Sequence, residues 1–367
     1  MQLKPLIRKV RGRLRRQPVV PPEGERNSTE LPEGGGEVSV EKALNSRCSS
    51  DYDDDQSFVH WGMFDRTKKL SDEQIGKVVS LAAIPRFTSH TCEIRAEKNV
   101  LSFIIDPRVT GPERRRLIIE NGMRQQSAAL LCAALGVGVC HRSFGPQGIR
   151  ISDTDLCTIR LLIDPMQPSY GGSYWSVSAP RKERGWRQGN LPDPKRDGSV
   201  PLVSALADIQ KTGSTPDRAV AREEVGQVLW AMKGRTPHFF KSFPWGMTVP
   251  TTTDERTVLF VCRGQGLFRY VNWEGGRPTH SIEKIVGPGV ALHKKLCGDL
   301  GQRETFLLLK DNSPSIAAQW ETGYCLMNAL TQLRGLGVCA KASILGADNA
   351  SVHTLDALGE VPVIIAL

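Results

Sequence analysis

Few residues in this chain are spaced for chemistry. The nine cysteines (48, 92, 132, 140, 157, 262, 297, 325 and 339) form no CxxC pair, and no His-x-x-x-His spacing accompanies them. That pattern does not indicate a zinc or iron–sulfur site, and no metal ligands are assigned. Cysteines scattered through apolar stretches act as small hydrophobes and suit a reducing cytoplasm. Gly264-Gln265-Gly266 reads as a hairpin turn, and no GxGxxG follows a strand-like run, so a Rossmann cofactor is unsupported. His141 stands just past an apolar segment, where it is either a proton donor or a plain surface histidine. Glu120 and Glu321 open two similar apolar segments. There they charge helix N-termini, where acids are favoured, with a catalytic role as the alternative. Trp245 reads as a core or slot-filling aromatic. Tyr170, Tyr174 and Trp175 either cover a pocket or pack a long connection.

The elements that position these residues recur. Glu120 to Gly145 and Glu321 to Gly346 align without a gap at one spacing of 201 residues (120 to 321), matching Gly122 with Gly323, Ala128 with Ala329, and Leu135-Gly136-Val137 with Leu336-Gly337-Val338. Each is a buried helix stopped by glycines, and a repeat this long suggests two related domains packed together. The 367 residues suffice for two cores, and 40% hydrophobic with 24% charged residues is ordinary globular composition. No apolar run is long enough for a membrane helix. The net charge of +9 is concentrated at the start, where residues 3–16 hold Lys4, Arg8, Lys9, Arg11, Arg13, Arg15 and Arg16 and no acid. This arm is either a solvated tail or a contact for an anionic membrane or polyanion. The rest of the chain is close to neutral, so no specific nucleic-acid partner is expected.

Residues 1–42 form the basic arm and a Pro/Gly-rich linker, and 43–166 the first unit. In that unit Ser71 with Gln74 predicts a capped helix, VLSFII (Val100–Ile105) a buried strand, and TIRLLI (Thr158–Ile163) another. Residues 167–217, rich in Pro, Gly, Arg and aromatics, form an extended wrap or lid. The second unit, 218–367, begins at REEVGQVLWAMKGRTP, which echoes DEQIGKVVSLAAIPR of the first. It continues with the strand TVLFVC, the half-hairpin GLFRYVNW, a helix near Val290–Leu296, the strand TFLLLK, the second central helix and the closing strand VPVIIAL. The fold class is therefore α+β, two sandwich units with mixed or antiparallel sheets.

Both central segments resemble the alanine-rich helix ending in LGLG of the FMN-dependent nitroreductase family. SRCSSDY followed by KLSDEQIGKVVSLAAIPR is similar to that family's opening, roughly RRSxRxF and then an apolar helix. In the second unit, QVLWAMKGRTP, KSFPWGMTVP and GLFRYVNW resemble segments of the azoline dehydrogenases of thiazole/oxazole peptide biosynthesis. The resemblance covers about 43–163 and 221–367. It implies a tandem chain that forms the family's flavin-binding dimer within itself, as a monomeric pseudo-dimer.

That resemblance implies FMN at one composite site, with NAD(P)H as electron donor and ping-pong hydride transfer to a small-molecule or peptide acceptor. Arg47 and Ser49 fall where the family contacts phosphate and ribityl. Ser143, Phe144 and Gly145 fall where backbone N–H groups approach the ring edge, which favours a flavin gaining negative charge. Trp245 and Gly246 fall at the second unit's contribution to the site, and His141 is the candidate proton donor. The departures are Cys48 and Asp51 in place of polar or basic residues, Trp245 in place of a small one, and no cation after Ile364, for which Lys341 or Arg334 could substitute. They raise two alternatives: a flavin-free pseudoenzyme or binding scaffold, and a peptide-modifying dehydrogenase of the azoline type.

Overall fold

The computed structural model describes residues 38–47, 49–50, 70–88, 92–97, 100–106, 108–141, 144–145, 148–149, 158–165, 187–209, 218–236, 246–249, 257–287, 289–312, 315–344, 354–355 and 358–367. The basic arm, Cys48, Asp51, Ser143, Tyr170, Tyr174, Trp175 and Trp245 lie outside them.

The first unit opens with α1 (Val40–Ser46), capped by Ser39, and β1 (Ser49–Ser50). Then comes α2 (Asp72–Ala82), begun as the sequence predicts by a capping box: Ser71 Oγ accepts from Gln74 N at 3.2 Å and Gln74 Oε1 from Ser71 N at 2.9 Å. The hairpin β2 (Cys92–Glu97) and β3 (Val100–Ile105) leads to the long α3 (Gly111–Ala134). After β4 (Val137–His141) come the two-residue pair β5 (Phe144–Gly145) and β6 (Gly148–Ile149), and then β7 (Thr158–Pro165). The sheet order is β1-β4-β7-β3-β2, with β1 parallel to β4 and the other neighbours antiparallel.

A connecting segment, residues 187–209, contains the short α4 (Leu202–Ala207). The second unit has α5 (Arg222–Lys233), the short pair β8 (Arg235–Thr236) and β9 (Gly246–Met247), and the meander β10 (Thr257–Arg263), β11 (Gly266–Glu274) and β12 (Arg277–Ile285). It closes with α6 (Gly289–Leu300), β13 (Thr305–Asp311), α7 (Ile316–Gly335), β14 (Lys341–Ile344), the pair β15 (Thr354–Leu355) and β16 (Gly359–Glu360), and β17 (Val363–Ala366). Its sheet order is β12-β11-β10-β13-β17-β14, antiparallel throughout.

The two sheets share a pattern. Around the central helices, β4-β7-β3-β2 of the first unit and β14-β17-β13-β10 of the second have the same order and the same antiparallel pairings. The helices end alike as well. Gly136 at φ 74° and Gly337 at φ 66° take the left-handed conformation that a side chain disfavours, which stops each helix.

The continuous apolar runs of the second sheet follow from its burial on both faces. Along β13, Leu307 and Leu309 face the core shared with the central helices, while Phe306 and Leu308 face a second cluster under α6 with Leu292 and Leu296. The larger core is continuous across both units, joining Leu117, Met123 and Leu130 of α3 to Trp230 of α5 and Tyr324 of α7.

At its centre α3 and α7 cross backbone to backbone. A Cβ on Gly122 would lie 2.5 Å from the Trp320 carbonyl oxygen, and one on Gly323 would lie 2.9 Å from Met123 N and closer still to the Ile119 carbonyl. The two glycines form one of the sequence-matched pairs of the repeat.

Residues 187–209 act as a strap between the units. Arg187 N and Leu191 N donate to the carbonyls of Pro278 and His280 on the edge strand β12, at 2.9 and 3.2 Å. Gln227 of α5 bonds Lys195 through both backbone groups (2.8 and 3.0 Å), and Ser39 Oγ, at the start of α1, donates to Asp197 at 2.8 Å. Beneath the strap, His280 is 1% exposed with Tyr270 OH 2.9 Å from its Nδ1. Burial pushes its imidazole down to about 4, against a weaker opposing pull from the Asp193 carboxylate.

Two outcomes follow. Gly323→Ala should lower stability by about 2 kcal/mol through forced separation of the helices, although alanine is the better helix former. Gly76→Ala, in an exposed helix position with nothing near, should instead raise it by about 0.5–1 kcal/mol; urea denaturation distinguishes them. The His280 imidazole titrates at about 4 in the native state and at an ordinary 6.5 unfolded, so the unfolded chain binds the extra proton between those values. Stability should therefore fall by up to about 3 kcal/mol as pH drops through that window, and His280→Gln should flatten the decline in a pH series of melts.

Candidate functional site

Of the segments named for a composite site, the first unit's opening and residues 247–248 of the second unit meet through Arg47. The chain leaves α1 at Arg47 and enters β1, which places Ser49 beside Val139 and Ser50 beside Cys140 of β4. His141 ends β4 as the backbone partner of Leu161, and the next described residues are Phe144 and Gly145, paired with Ile149 and Gly148. From the second unit, Gly246 and Met247 of β9 pair with Thr236 and Arg235. Thr248 follows and is held within the second unit, its N–H donating to the Gly234 carbonyl at 3.0 Å and its Oγ1 to the Trp230 carbonyl at 3.2 Å.

Arg47 joins these pieces. Its side chain is buried at 2% exposure, and it donates from Nε to the Thr248 carbonyl at 2.8 Å and from one terminal nitrogen to the Met247 carbonyl at 2.6 Å. The Thr248 carbonyl also accepts from Gln126 Nε2 of α3 (3.0 Å) and Asn328 Nδ2 of α7 (3.1 Å), while Gln126 Nε2 reaches Asn328 Oδ1 at 2.9 Å. One carbonyl of the second unit is thus gripped by the first unit's opening and by both central helices. A guanidinium can hold two carbonyls at once because its donors form a fixed fork. Gln126 Oε1 and Ser127 Oγ are buried beside this joint without a hydrogen-bond partner.

The carboxylates Glu120 and Glu321 do not sit at helix N-termini as the sequence suggested. α3 begins at Gly111 and α7 at Ile316, so both acids lie inside their helices and are buried, at 0% and 1%. The early turns of α3 carry exposed and charged residues that hide the helix from an apolar pattern. Glu120 Oε2 accepts from Phe87 N (2.7 Å), Thr88 N (2.9 Å) and Thr88 Oγ1 (3.1 Å), and its Oε1 pairs with Arg124 at 2.8 Å. Arg124 in turn donates to the Pro85 carbonyl at 3.0 Å and the Cys92 carbonyl at 2.5 Å. Glu321 Oε1 pairs with Lys233 Nζ at 2.6 Å and accepts from Thr257 N at 3.0 Å. Each acid therefore fastens the chain that follows its unit's first long helix. Burial pushes the Glu120 carboxyl above the ordinary range, against the N–H of Phe87 and the charge of Arg124.

Among the described residues, no group of three or more His, Cys, Asp or Glu side chains could hold a metal. Cys92, Cys132 and Cys262 are buried, and burial pushes their thiols up to about 12, which makes them packing residues. No described helix is long and apolar enough to cross a membrane.

Arg47, expected to contact the flavin phosphate, is buried and spends its Nε and one terminal nitrogen on two seam carbonyls. These two carbonyl partners lie 200 and 201 residues away, with no local signal in the sequence. Of the substitutes, Lys341 is exposed at the start of β14, with Ala366 as its strand partner, and Arg334 is half-buried beside Cys339.

No family model matches the chain, and no curated protein matches it. Among solved structures, the chain is similar to a candidate nitroreductase from Ralstonia eutropha, at 17% identity over 48% of this chain and 86% of that one, with a TM-score of 0.37. It is also similar to a candidate nitroreductase from Anabaena variabilis, at 11% identity over 69% of this chain and 64% of that one, with a TM-score of 0.46. At these identities and TM-scores the likenesses carry no argument about activity.

The Arg47 joint has a measurable weight. Arg47→Lys removes the fork and leaves at least one seam carbonyl without its charged donor, which should cost about 2–3 kcal/mol in urea denaturation.

Proposed function

We propose that the chain is an FMN-dependent oxidoreductase of the nitroreductase type, whose two units form within one chain the body that two subunits form in that family. The observation that carries this reading is the junction at Arg47, which ties the first unit's opening, next to β1 and its neighbour β4, to the carbonyls of residues 247 and 248 of the second unit. The repeated strand order around paired central helices supports it.

When bound, FMN would supply a two-electron centre between NAD(P)H and an organic acceptor. Ser49, the backbone of Phe144 and Gly145, and Gly246 would contact it. Arg47 holds the second unit's segment through two carbonyls and, in this reading, lies on the phosphate side of the flavin. Ser143 and Trp245 complete the proposed contacts, with His141 as proton donor. The acceptor is a small molecule or a peptide.

A flavin-free scaffold is the second reading, and the commitment of Arg47 to carbonyl oxygens favours it. An absorption spectrum of the folded protein titrated with FMN separates the two. The oxidoreductase should take up about one flavin per chain, and adding NADH or NADPH should bleach it. Two flavins per chain would contradict a single composite site. No uptake by folded protein would overturn the enzyme and leave the scaffold.

A further inference from the structure

The end of β12 and the start of α6 carry two exposed valines, here called the tip. Among the described residues Val286 and Val290 are the large hydrophobics left exposed, at 96% and 62%, and they lie four positions apart in Val-Gly-Pro-Gly-Val. The tip has a firm base. Gly289 N donates to the Gly287 carbonyl at 2.9 Å, Cys262 Sγ lies 3.6 Å from the Gly289 carbonyl, and a Cβ on Gly289 would come within 2.7 Å of the Gly266 carbonyl carbon. Ile285 on one side and Leu292 on the other are anchored in the cluster beneath α6. The valines are therefore held outward by a wedged backbone.

Charge is arranged around the tip. Leu292 and Leu296 face inward, so α6 presents Val290, Ala291, Lys294 and Lys295 to solvent, with no acid in its first turn. Lys284 is exposed at the end of β12, beside Gly266. Of the nearby acids, Glu283 is the strand partner of Arg269 and Glu304 pairs with Arg263, while Asp299 lies at the far end of α6. Exposed valines flanked in the chain by exposed lysines match the chemistry of an anionic bilayer surface, acyl chains for the former and phosphates for the latter.

We propose that this tip docks the protein on an anionic lipid surface, Val286 and Val290 entering the headgroup layer while Lys284, Lys294 and Lys295 meet the lipid phosphates. Two valines are a weak anchor alone, and peripheral attachment generally needs two signals. The basic arm at residues 3–16, with seven cations and no acid, supplies the second.

Co-sedimentation of the full chain with phosphatidylcholine vesicles, with and without phosphatidylserine, tests this. Binding is expected only to vesicles containing phosphatidylserine, and it should weaken at high salt. Val286→Asp with Val290→Asp should reduce partitioning roughly tenfold or more, as should Lys294→Glu with Lys295→Glu. All four positions are exposed, so circular dichroism should show unchanged folding. Undiminished binding of the valine variant would assign attachment to the arm alone and overturn the proposal. Absence of binding to either vesicle would overturn it too.

Discussion

The contact of α3 with α7 at Gly122 and Gly323 is the constraint on which the rest of the molecule depends. With no side chain at the crossing, the helices approach until backbone meets backbone, and flanking residues interdigitate at a fixed register. That register sets Gln126 opposite Asn328, and together they reach the Thr248 carbonyl from two sides. A wider crossing would pull one of them away and strand a buried amide, a cost comparable to a lost hydrogen bond. The seam therefore derives its order from the helix pair, and Arg47 finishes what the glycines begin.

Polar groups do much of the joining. The centre of α3 is buried all round yet contains Asn121, Gln125, Gln126 and Ser127 in succession with Glu120 and Arg124. Tyr324 of α7 donates to Gln125 Oε1 at 2.8 Å, and Gln125 bonds Asn121 in turn. Such contacts add little net stability, but their directions penalise any sliding of the units along an otherwise greasy face. Burial of the charged pairs Glu120–Arg124 and Lys233–Glu321 works the same way, since removing one partner leaves an isolated buried charge.

Much of the scaffold was legible where local chemistry is strong. Ser71 with Gln74 specifies a helix start within four residues, VLSFII and TFLLLK are strands by composition and length, and the glycines at 136 and 337 stop helices because other side chains resist positive φ. What escaped was written in contacts. β12, RPTHSIEKI, and β2, CEIRAE, are edge strands whose charges mask their pattern. The α3 start was hidden by GPERRR, whose charges break the apolar pattern although Arg115 is drawn in to pair with Asp311. Arg47 was singled out as a charged residue in a suggestive place, but its acceptors are backbone carbonyls of a distant segment, which no side-chain motif advertises.

The buried acids show what joining two alike units in one chain permits. Glu120 and Glu321 occupy matching positions and do matching work, yet the cation of the first comes from its own helix and that of the second from α5. In a twofold assembly of identical subunits every substitution arrives in duplicate, and a change useful on one side must be tolerated on the other. Covalent linkage removes that coupling. Here the same strand order surrounds two different buried ion pairs, so a change in one can be answered on its own side without touching the other.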